Sequence, residues 1–395
     1  MIGTWIDIDL DAVKYNYAQV TARLTAGSRC MAVVKADAYG LGAAEVAYAL
    51  QEAGCAAFAV TSVAEGLGLR GAGIKGVILV LGPSVSAQWP EAIQAALHLT
   101  VATPEMIEGI EQAARDILCE VSVHLKLETG MGRTGLWPEE LARAARLLTE
   151  ARWVKAAGVY THFARAAQRD DRYTRRQYEI FERGVEQLAA LGVTPSWRHV
   201  CNSAALLSYP QWHHDFVRSG TLLIGHYPHP ALRGKISLRD PWQAKSTVQY
   251  LRQAPRGAYV GYQSLYKTRT DTELAVIPAG YADGFGVAPH LTPQGLLDLG
   301  KVLLKNIAAY CGIYLGQERV MIKGRPVKIA GKIGMQLTIL DVGNGFCQIG
   351  DEVVIPLRRT LANPRLPRRY WSDGRVLCER RIREEEMNLQ ENTAE

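Results

Sequence analysis

The chain contains no run of 18 uninterrupted apolar residues, so no membrane-spanning helix is expected. Its start, Met1-Ile2-Gly3-Thr4-Trp5-Ile6-Asp7, lacks the basic opening and apolar stretch of a secretory leader, and a cytoplasmic location is expected. The seven cysteines are odd in number, widely spaced and without a C-x-x-C pair. That pattern excludes a disulfide framework and any zinc-type spacing, and no metal is expected. No internal repeat and no low-complexity linker divide the chain. Excess charge is confined to one place. The net charge is +6, and residues 357–383 alone hold nine arginines against Asp373 and Glu379, a net of +7. This segment has neither helical amphipathy nor regular aromatic interleaving, and Pro364 and Pro367 interrupt it. It reads as a solvated or interface-pairing tail, and neither nucleic acid nor a membrane is expected as a partner.

What is present fits a globular protein of two domains: 395 residues, 48% apolar and 21% charged. The stretch Cys30-Met31-Ala32-Val33-Val34-Lys35-Ala36-Asp37-Ala38-Tyr39-Gly40-Leu41-Gly42 organises it. A short apolar run ends in a lysine, followed by a glycine-punctuated turn and a helical pattern from Ala43. Such a run reads as a strand buried on both faces of a parallel sheet, where ligands sit beyond the carboxyl ends of the strands. An amine partly desolvated there loses its proton more readily and can condense with an aldehyde.

Residues 4–10 alternate as a half-buried strand, and Asp11 can cap a helix from Ala12. Strands are then expected to end at Lys35 and to span 57–60, 76–81, 97–102, 121–127, 154–160, 197–201 and 217–224. Helices are expected over 43–53, 62–72, 88–96, 104–116, 138–150 and 173–191, with a short one after Ser203. Eight strands alternating with helices in this length fit a (β/α)8 TIM-like barrel better than an open sheet. After Pro228 the texture becomes β-rich, with segments at 247–251, 274–278, 320–322, 327–330, 337–342 and 352–355. Residues 289–303 read as loop with one short strand. The expected domains are a barrel over 11–235, a mostly-β domain over 236–383, and a disordered polar tail over 384–395.

Other strand ends supply candidate chemistry. Ser203, in Arg198-His199-Val200-Cys201-Asn202-Ser203, opens a helix and either caps it or holds a phosphate. In Arg218-Ser219-Gly220-Thr221 the glycine lets backbone approach an anion. His162 follows the sixth strand. Lys126 lies within the fifth and needs a partner if buried. Gly280-Tyr281-Ala282-Asp283-Gly284 is a turn with a tyrosine.

Together the segments TWIDIDLDAVKYN, VVKADAYGLG, VHLKLETGMGRTG, GVYTHFARA, RHVCNSAA, RSGTLLIG, IPAGYADGF and GKIGMQLTILDV resemble the alanine racemases, fold-type III enzymes that use pyridoxal 5'-phosphate. The resemblance runs from Thr4 to about Arg369. It implies that the first strand, within residues 1–10, joins the C-terminal β domain, and that the protein is a homodimer whose active sites are shared between subunits. Lys35 matches the cofactor lysine, one of two catalytic bases. Tyr281 matches the base on the opposite face. Tyr39, Ser203, Gly220 and Thr221 match phosphate-binding positions, with Asn202 beside them. Arg218 matches the arginine at the pyridine nitrogen, and His162 the histidine between it and the catalytic tyrosine. Arg133 and Met335 match substrate-carboxylate positions, and Lys126 a lysine often carbamylated. A tyrosine with its ordinary pKa of about 10 is a poor base, so positive charge on His162 and Arg218 is expected to favour the phenolate. A guanidinium at the ring nitrogen disfavours ring protonation and with it transamination.

The chain departs from the family pattern at Leu41, Ile224, Gln336, Gly286-Val287 and above all Pro364, where the family carries a tyrosine at the pocket mouth. The expected function is racemisation of alanine for cell-wall synthesis. The alternatives are a racemase for a larger or more polar amino acid such as serine, lysine or arginine, a decarboxylase, which Arg218 disfavours, and a cofactor-binding relative without turnover, which Tyr281 disfavours.

Overall fold

A computed structural model describes residues 3–287, 296–310 and 319–381. The chain forms two compact units, one of Met1–Ile8 with the chain from Trp242 onward, the other of Asp9–Pro241. Trp5–Asp9 (β1) opens the chain, and Asp9, rather than Asp11, caps the helix Leu10–Thr21 by accepting the Ala12 N–H at 2.9 Å.

In the Asp9–Pro241 unit, eight parallel strands follow. They are Arg29–Val33 (β2), Ala57–Val60 (β3), Val77–Val80 (β4), His98–Val101 (β5), Val121–Lys126 (β6), Val154–Tyr160 (β7), Trp197–His199 (β8) and Phe216–Ser219 (β9). They are ordered β8-β7-β6-β5-β4-β3-β2-β9. The Asp215 N–H donates to the Arg198 carbonyl at 3.1 Å and the Arg218 N–H to that of Cys201 at 3.0 Å, drawing β9 toward β8 so that the barrel is nearly closed. Helices such as Ala43–Glu52, Val63–Gly71, Pro104–Asp116 and Arg172–Ala190 connect the strands. Strands so enclosed are buried along nearly their whole length, which explains their unbroken apolar sequences. Met31, Val33, Ala57, Ala59, Leu79 and Phe216 pack together. Full burial of the larger ones contributes about 1.5–3 kcal/mol each, as an upper estimate. The last strand is shorter than its apolar run suggests: Leu222, Leu223 and Ile224 are buried in a turn that begins at Gly220.

The other unit is built on a ten-stranded sheet that includes β1, which pairs antiparallel with Trp242–Thr247 (β10). The further strands are Tyr250–Ala254 (β11), Tyr259–Val260 (β12), Tyr266–Lys267 (β13), Thr272–Ile277 (β14), Val320–Ile322 (β15), Arg325–Ile329 (β16), Thr338–Asp341 (β17), Glu352–Ile355 (β18), Arg368–Ser372 (β19) and Arg375–Arg380 (β20); β12 and β13 form a separate ribbon. Three expectations are corrected. The segment 247–251 is two strands, because the chain leaves β10 at Thr247 and re-enters the sheet as β11 beside β14. The described part of 289–303 belongs to a helix, Leu296–Tyr310, whose leucines and helix-forming neighbours outweigh the glycine and proline before them. The arginine-rich segment contains a hairpin, β19–β20, turning at Asp373 (φ 50°) and Gly374 (φ 70°). The expected tail 384–395 lies outside the described residues.

That hairpin explains why β1 is buried on both faces instead of one. The Asp7 carboxylate accepts from Arg369 Nε at 2.7 Å and Nη2 at 2.9 Å, and meets Lys245 Nζ at 3.1 Å. Arg369 also stacks 4.8 Å from the Trp5 ring and 5.4 Å from that of Trp371. Burial alone would raise the Asp7 pKa, but the hydrogen bonds from Arg369, Trp371 and Lys245 hold it below the ordinary value. A depressed carboxylate stabilises the fold above its unfolded pKa and stops doing so as pH falls through the folded one. Asp7→Asn is therefore expected to cost about 3 kcal/mol in urea titrations at pH 7. The deficit should stay constant down to about pH 4 and shrink below it; a deficit independent of pH in that acid range would contradict the ion-pair account.

Candidate active site

One cavity of about 600 Å³ opens at the carboxyl end of the barrel, of a size suited to a small-molecule ligand. Lys35, Tyr39, Lys126, Arg133, His162, Asn202, Ser203, Arg218, Gly220 and Thr221 all line it, together with Val33, Thr61 and Tyr160. Tyr281 and Met335 belong to the other unit. There the Tyr281 N–H donates to the Gly334 carbonyl and the Ala282 N–H to that of Met335, each at 3.0 Å. Both side chains are exposed, Tyr281 at 50% and Met335 at 58%.

Lys35 is placed by unusual backbone. The turn after it is left-handed: Ala36, Asp37 and Ala38 have φ of 50°, 53° and 52°, and Tyr39 has 58°. The turn is hydrogen-bonded, Ala38 N–H to the Val34 carbonyl and Gly40 N–H to that of Ala36, both at 2.9 Å, and closes at Gly40 with φ 90°. A left-handed turn of non-glycine residues costs about 1–2 kcal/mol per residue, a strain of the sort that collects at functional sites. It sets Lys35 at one end of the turn and Tyr39 at the other, both on the cavity wall. Burial pushes the Tyr39 pKa up to about 12. Its ring lies so close to Gly220 that a Cβ on that glycine would sit 2.2 Å from the Tyr39 hydroxyl.

The helix Ser203–Ser208 is capped by Asn202, whose side-chain oxygen accepts from Ala204 and Ala205 at 3.1 and 3.0 Å. Ser203 is thereby released from capping. Its hydroxyl accepts the Gly220 N–H at 3.1 Å. The neighbouring Thr221 hydroxyl is buried with no hydrogen-bond partner among the described residues, a state that calls for a ligand.

Arg218 is 3% exposed. Its guanidinium donates to the carbonyls of His199 at 2.6 Å, Thr161 at 2.7 Å and Val200 at 3.3 Å, and to His199 Nδ1 at 2.8 Å. Burial lowers its pKa to about 10, which leaves it a cation at neutral pH. The partners of Arg218 include residues that sequence reasoning missed. His199 Nε2 meets His124 Nδ1 at 2.8 Å, and His124 Nε2 meets His98 Nδ1 at 3.1 Å. A guanidinium only donates, so His199 Nδ1 must accept, and each ring passes its Nε2–H to the next. All three rings are neutral. Burial and then Arg218 push His199 far down, burial and then His98 do the same to His124, and burial with Arg70 takes His98 to about 4. Room for His124 comes from Gly158, where a Cβ would stand 2.4 Å from the ring nitrogen. Tyr160 stacks on His199 at 4.8 Å and lies under the Arg218 guanidinium at 5.1 Å. The available signal was the two-residue spacing of His124 and Lys126, which sets both toward the barrel interior.

Lys126 is 3% exposed and its ammonium donates to the Thr134 hydroxyl. Burial, then repulsion from Arg133, lowers its pKa to about 8. Glu128 accepts the Gly130 N–H at 2.6 Å and the Arg133 N–H at 3.4 Å, and so shapes the loop that carries Arg133. The expected positive charge on His162 is corrected. Burial, then Arg218, Arg133, Lys126 and Lys35, take its pKa to about 3, so the ring is neutral.

With this geometry in view, comparison with known proteins decides the family. The model of the alanine racemase N-terminal domain matches residues 8–228, and that of the alanine racemase C-terminal domain matches residues 242–363. The chain belongs to the alanine racemase family. It is 36% identical over 364 residues to an alanine racemase of Desulfosudis oleivorans, covering 89% of this chain and 87% of that one. It is 35% identical over 356 residues to the alanine racemase of Symbiobacterium thermophilum, covering 90% and 88%. Among solved structures, alanine racemase of Clostridium difficile 630 aligns with a TM-score of 0.85 at 26% identity, covering 96% of this chain and 99% of that one.

The tight fit of Gly220 against Tyr39 yields a double-mutant test. Gly220→Ala is expected to cost about 1–2 kcal/mol in denaturant titrations by overpacking. In a Tyr39→Phe background, where the colliding hydroxyl is gone, part of that cost should disappear; equal costs in both backgrounds would refute the contact.

Proposed function

We propose that this chain is a pyridoxal-phosphate-dependent alanine racemase, interconverting L- and D-alanine by a two-base mechanism. The observation that carries the proposal is the single cavity shared by strand-end Lys35, the buried cation Arg218 and the unpartnered Thr221 hydroxyl. Those residues fit the cofactor. Thr221, Ser203, Gly220 and Tyr39, with Asn202 behind them, would hold its phosphate; Lys35 would hold its aldehyde carbon; Arg218 would face its ring nitrogen. When bound, pyridoxal phosphate supplies an aldehyde that joins to an amine and a conjugated ring that spreads the negative charge left when the α-proton departs.

The chain's own residues do the rest. Lys35, as an amine, takes or returns the α-proton on one face of the substrate carbon. Tyr281, supplied by a second copy of the chain in a homodimer, takes or returns it on the other. Arg133 and the Met335 backbone would orient the substrate carboxylate. Arg218, fixed as a cation, would disfavour a second positive charge at the ring nitrogen and so favour racemisation over transamination. With His162 neutral, it does so without help from that ring. Lys126, its ammonium form disfavoured by burial, would add its neutral amine to carbon dioxide, losing one proton and becoming a carbamate that pairs with Arg133. The product would serve peptidoglycan synthesis in the cytoplasm. No helix among the described residues is long and apolar enough to cross a membrane. A larger amino-acid substrate is not favoured, since the relatives at 35–36% identity are alanine racemases by name.

Exchange of the α-proton in deuterated water, followed by NMR with L- and D-alanine separately, tests the assignment. Lys35→Ala is expected to abolish exchange from both enantiomers. Tyr281→Phe is expected to slow racemisation by about 10²–10⁴-fold while D-alanine continues to exchange its α-proton with retention. Equal loss or equal survival for the two enantiomers in Tyr281→Phe would overturn the two-base assignment.

A further inference from the structure

The left-handed turn after Lys35 has only a partial local cause. Ala-Asp-Ala-Tyr contains no glycine, and of its side chains only that of Asp37, a residue type that occasionally adopts positive φ, bonds locally, accepting the Ala43 N–H at 2.8 Å. The start of the turn, at Ala36, is held from outside. The first residue of the turn, Ala36, donates its N–H to Glu65 Oε1 at 2.6 Å. The other oxygen of the same carboxylate accepts the N–H groups of Thr61 at 2.8 Å and Ser62 at 3.1 Å. Glu65 thus joins the end of β3 to the chain just beyond the end of β2, strands that lie side by side in the barrel.

This is more than a helix cap. Ser62 and Glu65 do form a capping box at the start of Val63–Gly71, with the Glu65 N–H donating to the Ser62 hydroxyl at 3.2 Å. A capping box uses the Ser62 N–H only. The bonds to Thr61 and to Ala36 are additional, and the latter spans 29 positions of sequence. Ala36 is exposed, so without Glu65 water would satisfy its N–H in either hand of turn, and the preference for the strained one would lapse. A carboxylate accepting N–H groups makes hydrogen bonds stronger than neutral pairs.

We propose that Glu65 is a positioning residue for Lys35, its carboxylate holding the left-handed turn that presents Lys35 and Tyr39 to the cavity. Glu65 itself is absent from the cavity wall, whereas Lys35, Tyr39 and Thr61 line it. The proposal rests on the cofactor reading only for the identity of the bound group; the tether itself is a property of the chain alone.

The test compares Glu65→Ala with Ser62→Ala, which breaks the capping box while leaving the Ala36 bond. Amide hydrogen exchange on the cofactor-free chain reads the turn directly. In Glu65→Ala the amides of residues 36–40 are expected to exchange at least about tenfold faster, the factor set by a lost charged hydrogen bond, with the remaining barrel strands unchanged. Pyridoxal phosphate, followed by absorbance, is expected to leave Glu65→Ala faster by a similar factor, and Ser62→Ala at the rate of the unaltered chain. Unchanged exchange at Ala36, equal acceleration over the whole barrel, or equally fast cofactor loss from Ser62→Ala would each overturn the proposal. Should the unaltered chain take up no pyridoxal phosphate at all, the cofactor reading falls, and the exchange comparison still decides the tether.

Discussion

A guanidinium cannot shed its proton inside a protein, and Arg218 sits in the barrel with 3% of its surface exposed. Its charge is solvated by three backbone carbonyls and one imidazole, not by a carboxylate. Much of the barrel interior follows from that choice. A carboxylate partner would cancel the charge that the cavity needs, whereas carbonyl dipoles spread it without cancelling it. The imidazole must offer a lone pair, which fixes the His199 tautomer. Its other nitrogen then needs an acceptor, which His124 supplies, and His124 in turn needs His98. A proton added anywhere along this row would set a second cation against the first, so all three rings stay neutral. Gly158 is small because His124 must fit there.

The Lys35 end of the cavity is governed by strain rather than charge. Four consecutive non-glycine residues adopt the left-handed backbone, and in return the turn places a lysine and a tyrosine on one wall within a single circuit. Tyr39 then closes against Gly220, which brings the loop carrying Thr221 to the same wall. Strain at one strand end and a buried cation at another are thus parts of one cavity.

How much of this the sequence disclosed depends on the range of the interaction involved. Strands at 57–60, 154–160, 320–322 and 352–355 stood out as bounded apolar or alternating runs, because burial acts on each residue locally. Lys35 stood out because it ends such a run. The buried turn at Leu222-Leu223-Ile224 passed for strand, since burial leaves the same mark on both. The helix Leu296–Tyr310 was masked by the prolines and glycines around it. The histidine row was illegible, as its members lie 26 and 75 positions apart and only the closed barrel sets them side by side. The left-handed turn was illegible for the opposite reason. Its residues are adjacent, but the carboxylate that holds its first N–H, that of Glu65, is not.

The pairing of β1 bears on the order in which the protein is made. Trp5–Asp9 precedes the barrel in the chain, yet its partners in β10 and the Pro367 carbonyl that receives the Ile6 N–H are translated only after the entire barrel. Domains complete in the order of synthesis fold as units, so the barrel can close while β1 waits with Trp5, Ile6 and Ile8 unshielded. The Asp7 carboxylate puts a charge inside this apolar strand, and its neutralising partners Lys245 and Arg369 arrive with the strands that finally enclose it.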